Sequence, residues 1–259
     1  MTYEGKRVLI LFEGPNDKKQ FTHLAKTFVS FLKEGSYQIC VFTTSIYELY
    51  EPLIERKEFD SLPAFLQRKK RYNFPSGIRP QDYFSLIYLV FDYDPKYHLF
   101  SAEKIKALQK YFNDETQNGL LYINYPMVEA LFDCFKSDGC IHITKERPFD
   151  CCSSDSYKKL IRRETPFANP KNGHPFKYLP PKPFAMVSLD SIIRYYEILK
   201  SSYSPSWSFS DIGSILQEEN KAVTQGKVYP LSCFPFMALD YNSAEAIKIW
   251  KSLLEQKKS

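Results

Sequence analysis

Two apolar runs in this chain end abruptly on acid. Residues 8–12 read VLILF and give way at once to Glu13, Gly14, Pro15, Asn16 and Asp17; residues 86–91 read LIYLVF and stop at Asp92, Tyr93 and Asp94. Neither run alternates apolar with polar residues. A strand with that texture is buried on both faces, as in a parallel sheet covered by helices. The position just past the C-terminal end of such a strand is where open α/β sheets place their binding and chemical groups. If the two strands are neighbours, Glu13, Asp92 and Asp94 converge at one sheet edge. Three carboxylates there repel one another unless a divalent cation lies among them, and hard cations take oxygen ligands of this kind.

The rest of the first half carries a βαβ alternation. A first strand is expected over 6–12, broken by Gly14, Pro15 and Asn16. Asp17 is placed to N-cap a helix over 18–33, whose apolar residues Phe21, Leu24, Phe28 and Phe31 or Leu32 recur at helical spacing. Asp17 is read as a cap first and as support for a cation second. A strand over 37–44 and a helix over 46–57 follow. The segment 58–82 is basic, contains Pro75, Gly77 and Pro80, and reads as an insertion. The third strand is then 86–92. Ser101 caps a helix to about Phe112, Asn118-Gly119 marks a turn, and 120–124 is a fourth strand. Pro126 is expected to open a helix through MVEALFDCF, and 140–144 to form a short fifth strand. The fold class expected is α/β, a Rossmann-like, mostly parallel sheet flanked by helices.

Beyond about residue 145 the texture changes. The 146–184 stretch is rich in proline and polar turns, and helical patterns return at about 185–200, 209–222 and 242–257. The division expected is a catalytic region over 1–145 and an irregular, then helical, region over 146–259.

Composition narrows the function classes. The 35 basic and 30 acidic residues leave a net charge of +5, which permits a polyanionic partner without requiring one. The six cysteines (Cys40, Cys134, Cys140, Cys151, Cys152, Cys233) form no CxxC pair, which argues against a zinc site. No signal peptide and no bilayer-length apolar run are recognisable, so the expected location is the cytoplasm, away from membranes. With 19 Tyr and 21 Phe, aromatic side chains are expected to fill the core, and any exposed ones to offer faces on which bases stack.

The Glu13-Gly-x-x-Asp17 turn after the first strand, followed by a strand ending in Asp92-x-Asp94, resembles the TOPRIM domain. That metal-dependent catalytic domain occurs in topoisomerases, bacterial primases, RNase M5 and the OLD-family nucleases. The resemblance covers roughly the first half of the chain. It implies that Glu13 is the general acid/base or a metal ligand and that Asp92 and Asp94 hold Mg²⁺ or Mn²⁺. Glu129, after the next strand, occupies a position where related nucleases carry another acid; a helix-terminal Glu favoured by the helix dipole is an equal alternative. Gly14 would let a phosphate or metal approach the backbone closely. Topoisomerases and primases need further domains that do not fit this chain, which leaves nucleic-acid hydrolysis of DNA or a structured RNA such as tRNA. The resemblance extends to small effector subunits of bacterial antiphage and abortive-infection systems, OLD-like and PARIS-like, which work with an ABC-type ATPase partner or as homo-oligomers.

Two basic clusters are candidates for phosphate contacts: Arg68, Lys69, Lys70 and Arg71, and Lys158, Lys159, Arg162 and Arg163, the latter at helical spacing. A solvated surface face is the ordinary fate of such clusters. His98, four residues beyond Asp94, is close enough in sequence to lie near the site. The competing readings are a non-catalytic TOPRIM-like scaffold or regulatory subunit, and a small-molecule phosphohydrolase on a related fold.

Overall fold

A computed structural model describes residues 8–28, 37–68, 84–137, 140–143, 148–151, 156–167, 181–199 and 212–258. The chain divides into two compact units, Met1–Gln20 with Ser30–Ile123, and Phe21–Val29 with Asn124–Ser259. The second unit thus takes in Asn124 onward, earlier than the expected division at residue 145.

The first unit is built on a five-stranded sheet. Its strands are β1 (Val8–Phe12), β2 (Tyr37–Val41), β3 (Leu86–Asp92), β4 (Asn113–Asp114) and β5 (Gly119–Asn124), in the order β2-β1-β3-β5-β4. β1 pairs in parallel with both neighbours, Val8 opposite Tyr37 on one side and Leu86 on the other. Every residue of β1, and every residue of β3 before Asp92, is buried, as unbroken apolar runs require. The fold is α/β with a mostly parallel sheet flanked by helices.

Helix α1 (Pro15–Phe28) follows β1, α2 (Leu62–Arg68) lies inside the expected insertion, and α3 (Ala102–Tyr111) follows β3. The expected cap of α3 is present, with Ser101 Oγ accepting the Lys104 N–H at 3.3 Å. The expected helix over 46–57 is instead a 3₁₀ turn, Ile46–Leu49, running into a π turn, Glu51–Glu55, with Pro52 near its start. Proline lacks the N–H that an α-helical ladder needs, which favours an irregular path here. β4 and β5 form a short antiparallel hairpin that the sequence reading did not include. Its closing turn is held by Asp114, which accepts hydrogen bonds from the Thr116 N–H and hydroxyl and the Gln117 amide. Gly119 starts β5 at φ +116°, and a Cβ there would lie 2.6 Å from Leu89 Cδ1. Only glycine combines that backbone angle with so close an approach of β5 to β3.

In the second unit, the helix expected after Pro126 is a single 3₁₀ turn, Val128–Phe132, followed by the hairpin of β6 (Cys134–Ser137) and β7 (Cys140–Ile143). Tyr125 is already engaged in a bridge with Leu231, so extended backbone continues where a helix was expected to begin. β8 (Phe149–Asp150) pairs with β9 (Lys227–Val228). The helices are α4 (Tyr157–Glu164), α5 (Pro181–Ile198), α6 (Ile212–Thr224) and α7 (Phe234–Lys258). α5 to α7 correspond to the three expected helical stretches, α7 starting eight positions earlier than its pattern suggested. Among the described residues no helix is long and apolar enough to cross a membrane.

Candidate active site

The strand order fixes where a site belongs. After β1 the chain crosses to β2 on one side; after β2 it crosses back over β1 to β3 on the other. The C-terminal ends of β1 and β3 therefore flank the topological switch point, where helices diverge and leave a crevice. Glu13 is the first residue past β1, and Asp92 is the last of β3.

β1 and β3 are neighbours in this unit, as expected, and their ends bring the Glu13 side chain against the backbone of Asp92. The Asp92 backbone N–H donates to Glu13 Oε2 at 3.0 Å, and the Glu13 N–H donates to the Val90 carbonyl at 3.0 Å, so β1–β3 pairing runs on into the site. The Thr43 N–H donates to the Glu13 carbonyl at 2.9 Å, which ties the other flank to the end of β2. Glu13 is half-buried. Burial pushes its carboxyl from 4.5 up to about 8; the Asp92 N–H opposes the rise, and the negative charges of Asp17 and Asp94 add to it.

Asp94 sits at φ +31°, a left-handed backbone that Asp tolerates better than most residues. Pro95 follows, and the Tyr97 N–H donates to the Asp94 carbonyl at 3.0 Å, closing a tight turn. The Asp94 carboxyl is shifted upward by burial, against the lowering effects of the Lys96 N–H and ammonium. A strained backbone at an acidic residue on a sheet's C-terminal edge is a feature functional sites accumulate.

Asp17 has a different local role from the one expected. α1 begins at Pro15, so Asp17 lies in the first helical turn and Gly14 stands at the N-cap position. Asp17 Oδ2 accepts the Gly14 N–H at 3.0 Å, the reach-back half of a capping box. The carboxylate is buried, and a Cβ on Gly14 would come within 3.3 Å of it. The group that approaches Gly14 closely is thus Asp17. This arrangement holds Asp17 beside Glu13 and stabilises its charge at the helix N-terminus.

Glu129 belongs to the second unit. It is 2% exposed and pairs with Lys158 Nζ at 2.9 Å. Beside it, the Tyr157 hydroxyl donates to Asp133 Oδ2 at 2.9 Å, so α4 is anchored to the 3₁₀ turn by two polar contacts. The basic face expected on α4 is accordingly split: Lys158 turns inward, whereas Lys159, Arg162 and Arg163 are exposed. In the other cluster Arg68 is exposed and lies over the Phe59 ring at 5.7 Å; Lys69, Lys70 and Arg71 fall outside the described residues.

The second unit also holds a cleft of about 480 Å³ that sequence reasoning missed, lined by Arg194, Glu197, Glu218, Lys221, Gln225 and Tyr229. Behind it Glu219 is fully buried, its Oε2 accepting the Tyr229 N–H at 3.0 Å, and burial raises its carboxyl well above the usual range. Nothing in the local sequence marks Glu219, because a Glu in an amphipathic helix reads as surface until tertiary packing covers it.

Among the described residues no three His, Cys, Asp or Glu side chains are already gathered at metal-ligand spacing. The donors at the switch point are nonetheless all carboxylate oxygens, which suit Mg²⁺ or Mn²⁺ and not a soft metal. Burial is the main cause of the raised Glu13 carboxyl, and the smaller part owed to the negative charges of Asp17 and Asp94 is what a cation would relieve. Comparison of the chain with protein-family models, with curated proteins and with solved structures gave no match.

Proposed function

We propose that this protein is a metal-dependent nuclease that hydrolyses phosphodiesters of DNA or of a structured RNA such as tRNA at the Glu13/Asp92/Asp94 edge. The observation that carries the reading is the hydrogen bond from the Asp92 N–H to Glu13 Oε2, which joins the ends of β1 and β3 at the switch point. The resemblance of the Glu13-to-Asp17 turn and the Asp92-x-Asp94 strand end to TOPRIM domains supports the same assignment.

In this scheme Asp92 and Asp94 are the oxygen ligands. Mg²⁺ or Mn²⁺ bound there would neutralise phosphate charge and lower the pKa of an attacking water. Glu13 handles the proton. Its Oε2 is occupied by the Asp92 N–H, so Oε1 is the oxygen that carries the proton, a state that burial of the carboxyl favours. Water gives up one proton to solvent and attacks phosphorus, the bond from phosphorus to the leaving oxygen breaks, the Glu13 proton passes to that oxygen, and Glu13 regains a proton from solvent. Burial favours the protonated Glu13, and the negative charge of Asp17 adds to that preference. Exposed Lys159, Arg162, Arg163 and Arg68 are the candidates for contacts to the phosphate backbone.

The test incubates plasmid DNA, total tRNA and a small phosphodiester with the protein in Mg²⁺ or Mn²⁺, beside Glu13→Gln and Asp92→Ala. The expected result is nucleic-acid cleavage by the wild type, lost on chelation and reduced at least 100-fold in both variants. Cleavage that persists in both variants refutes this site. Turnover of the small phosphodiester alone favours a phosphohydrolase, and no turnover of any substrate favours a scaffold. The same resemblance extends the proposal to an antiphage effector with an ABC-type ATPase partner, which co-purification from the native cell tests.

A further inference from the structure

The strand order places β1 between β2 and β3, so any contact between the loop after β2 and the loop after β3 must pass over the end of β1, where Glu13 lies. Such a crossing exists, and it is aromatic. The Tyr47 hydroxyl, from the 3₁₀ turn after β2, donates to the carbonyl of Tyr93, next to Asp92. The Tyr97 hydroxyl, from the turn after β3, donates to Glu48 Oε1 at 3.0 Å and bonds with Thr44. The Tyr47 and Tyr97 rings are stacked, with centroids 6.0 Å apart and planes inclined by 19°.

The members of this block differ in exposure. Tyr47 and Tyr93 are buried, with Phe100 edge-on to both at 5.7 and 5.2 Å. They are core. Tyr97 is half-buried, and the exposed His98 ring lies against it at 4.5 Å. A half-exposed ring needs no polar tether to fill space. Tyr97 has its phenol held by two residues of the opposite loop, its ring backed by Tyr47, and its backbone N–H bound to Asp94. A ring so fixed loses little entropy when something stacks on it.

The geometry points to Tyr97, with His98 beside it, as the platform on which an unpaired base of the substrate stacks next to the Glu13/Asp92/Asp94 edge. The inference rests on the nuclease reading and narrows its substrate class. Bases inside a duplex are covered on both faces, so a ring beside the scissile phosphate can receive only a base that is single-stranded, looped or extruded. Single strands and hairpin loops of DNA or RNA are then preferred over blunt duplex.

Fluorescence anisotropy without Mg²⁺ and cleavage with Mg²⁺ test this on labelled single-stranded, hairpin and blunt-duplex oligonucleotides. The variants are Tyr97→Phe, which keeps the ring, and Tyr97→Leu, which keeps apolar bulk without it; thermal melting confirms that both fold. Loss of one stacked base weakens single-strand binding by roughly 5- to 100-fold in Tyr97→Leu, whereas Tyr97→Phe stays within about threefold of wild type. Equal binding by Tyr97→Leu and wild type, or no preference of the wild type for unpaired over duplex substrates, overturns the inference. Ring-dependent binding by a wild type that cleaves nothing would keep the platform and remove the nuclease, so the two failures are distinguishable.

Discussion

Replacing Glu13 by glutamine tests how the acidic edge is held together. Gln keeps an acceptor oxygen for the Asp92 N–H but cannot ionise. In the wild type, burial and the neighbouring negative charges raise the Glu13 carboxyl from 4.5 to about 8. An acid whose pKa is higher in the folded than in the unfolded state binds more protons when folded, so its contribution to stability is full below pH 4.5 and declines as the pH rises through the interval. At about 1.4 kcal/mol per pH unit, the decline from 4.5 is roughly 3 kcal/mol by pH 7 and roughly 5 kcal/mol once the folded-state pKa near 8 is passed. Glutamine escapes this loss. In chelator, Glu13→Gln should therefore melt within a few degrees of wild type at pH 5 and above it at pH 7, by roughly 6–12 °C for that free energy. Other titrating groups are common to both proteins and cancel in the difference. Melting curves recorded by circular dichroism from pH 5 to pH 9 give the comparison directly. Parallel pH dependences, or a glutamine variant less stable than wild type at pH 8, would refute the argument that Glu13 is destabilised by its surroundings.

Other perturbations follow from the same structure. Asp17→Ala removes the reach-back bond to Gly14 and should cost about 1 kcal/mol in urea unfolding; it should also lower the Glu13 pKa, read by NMR titration of a side-chain carboxyl label, because a neighbouring negative charge is gone. Gly119→Ala forces a Cβ into Leu89 at a positive φ and should destabilise by about 3 kcal/mol in urea unfolding, while Gly14→Ala meets only the Asp17 carboxylate and should cost less. Lys158→Ala strands the buried Glu129 charge and should cost about 3 kcal/mol at pH 8, with much of that recovered in a Lys158→Met/Glu129→Leu double variant. If instead Lys158→Ala leaves stability intact but weakens nucleic-acid binding as much as Arg162→Ala does, the inward role given to Lys158 is wrong.

What the sequence made legible was the part governed by burial on both faces. The runs 8–12 and 86–91 have no polar face, so their central place in a parallel sheet and the position of Glu13 and Asp92 at its edge followed from hydrophobicity alone. The Ser101 cap was legible for a similar reason, since a hydroxyl before an amphipathic stretch has one local use. The misses lie where tertiary contacts outvote local preference. Asp17 looks like an N-cap, yet Pro15 can itself start the helix, which moves Asp17 one turn inward. MVEALFDCF has helical composition, yet Tyr125 is held extended by Leu231 and Cys134 by Ile143, leaving room for one 3₁₀ turn. The pairing of Glu129 with Lys158 joins residues whose adjacency no local pattern encodes. The crossing of Tyr97 to Glu48 is of the same kind, donor and acceptor being 49 positions apart.

The hydrogen bond between Glu13 and Asp92 also has a consequence in time. Its partners are 79 positions apart, and they meet only because β3 docks in register beside β1. A chain still being synthesised carries Glu13 from the start but has no acidic edge until residues 86–94 have emerged and paired. Assembly of the site and completion of the sheet are one event. Fragments that end before β3 should be inert whatever else they fold into, and the nuclease proposed above would thereby be withheld from acting until its scaffold is built.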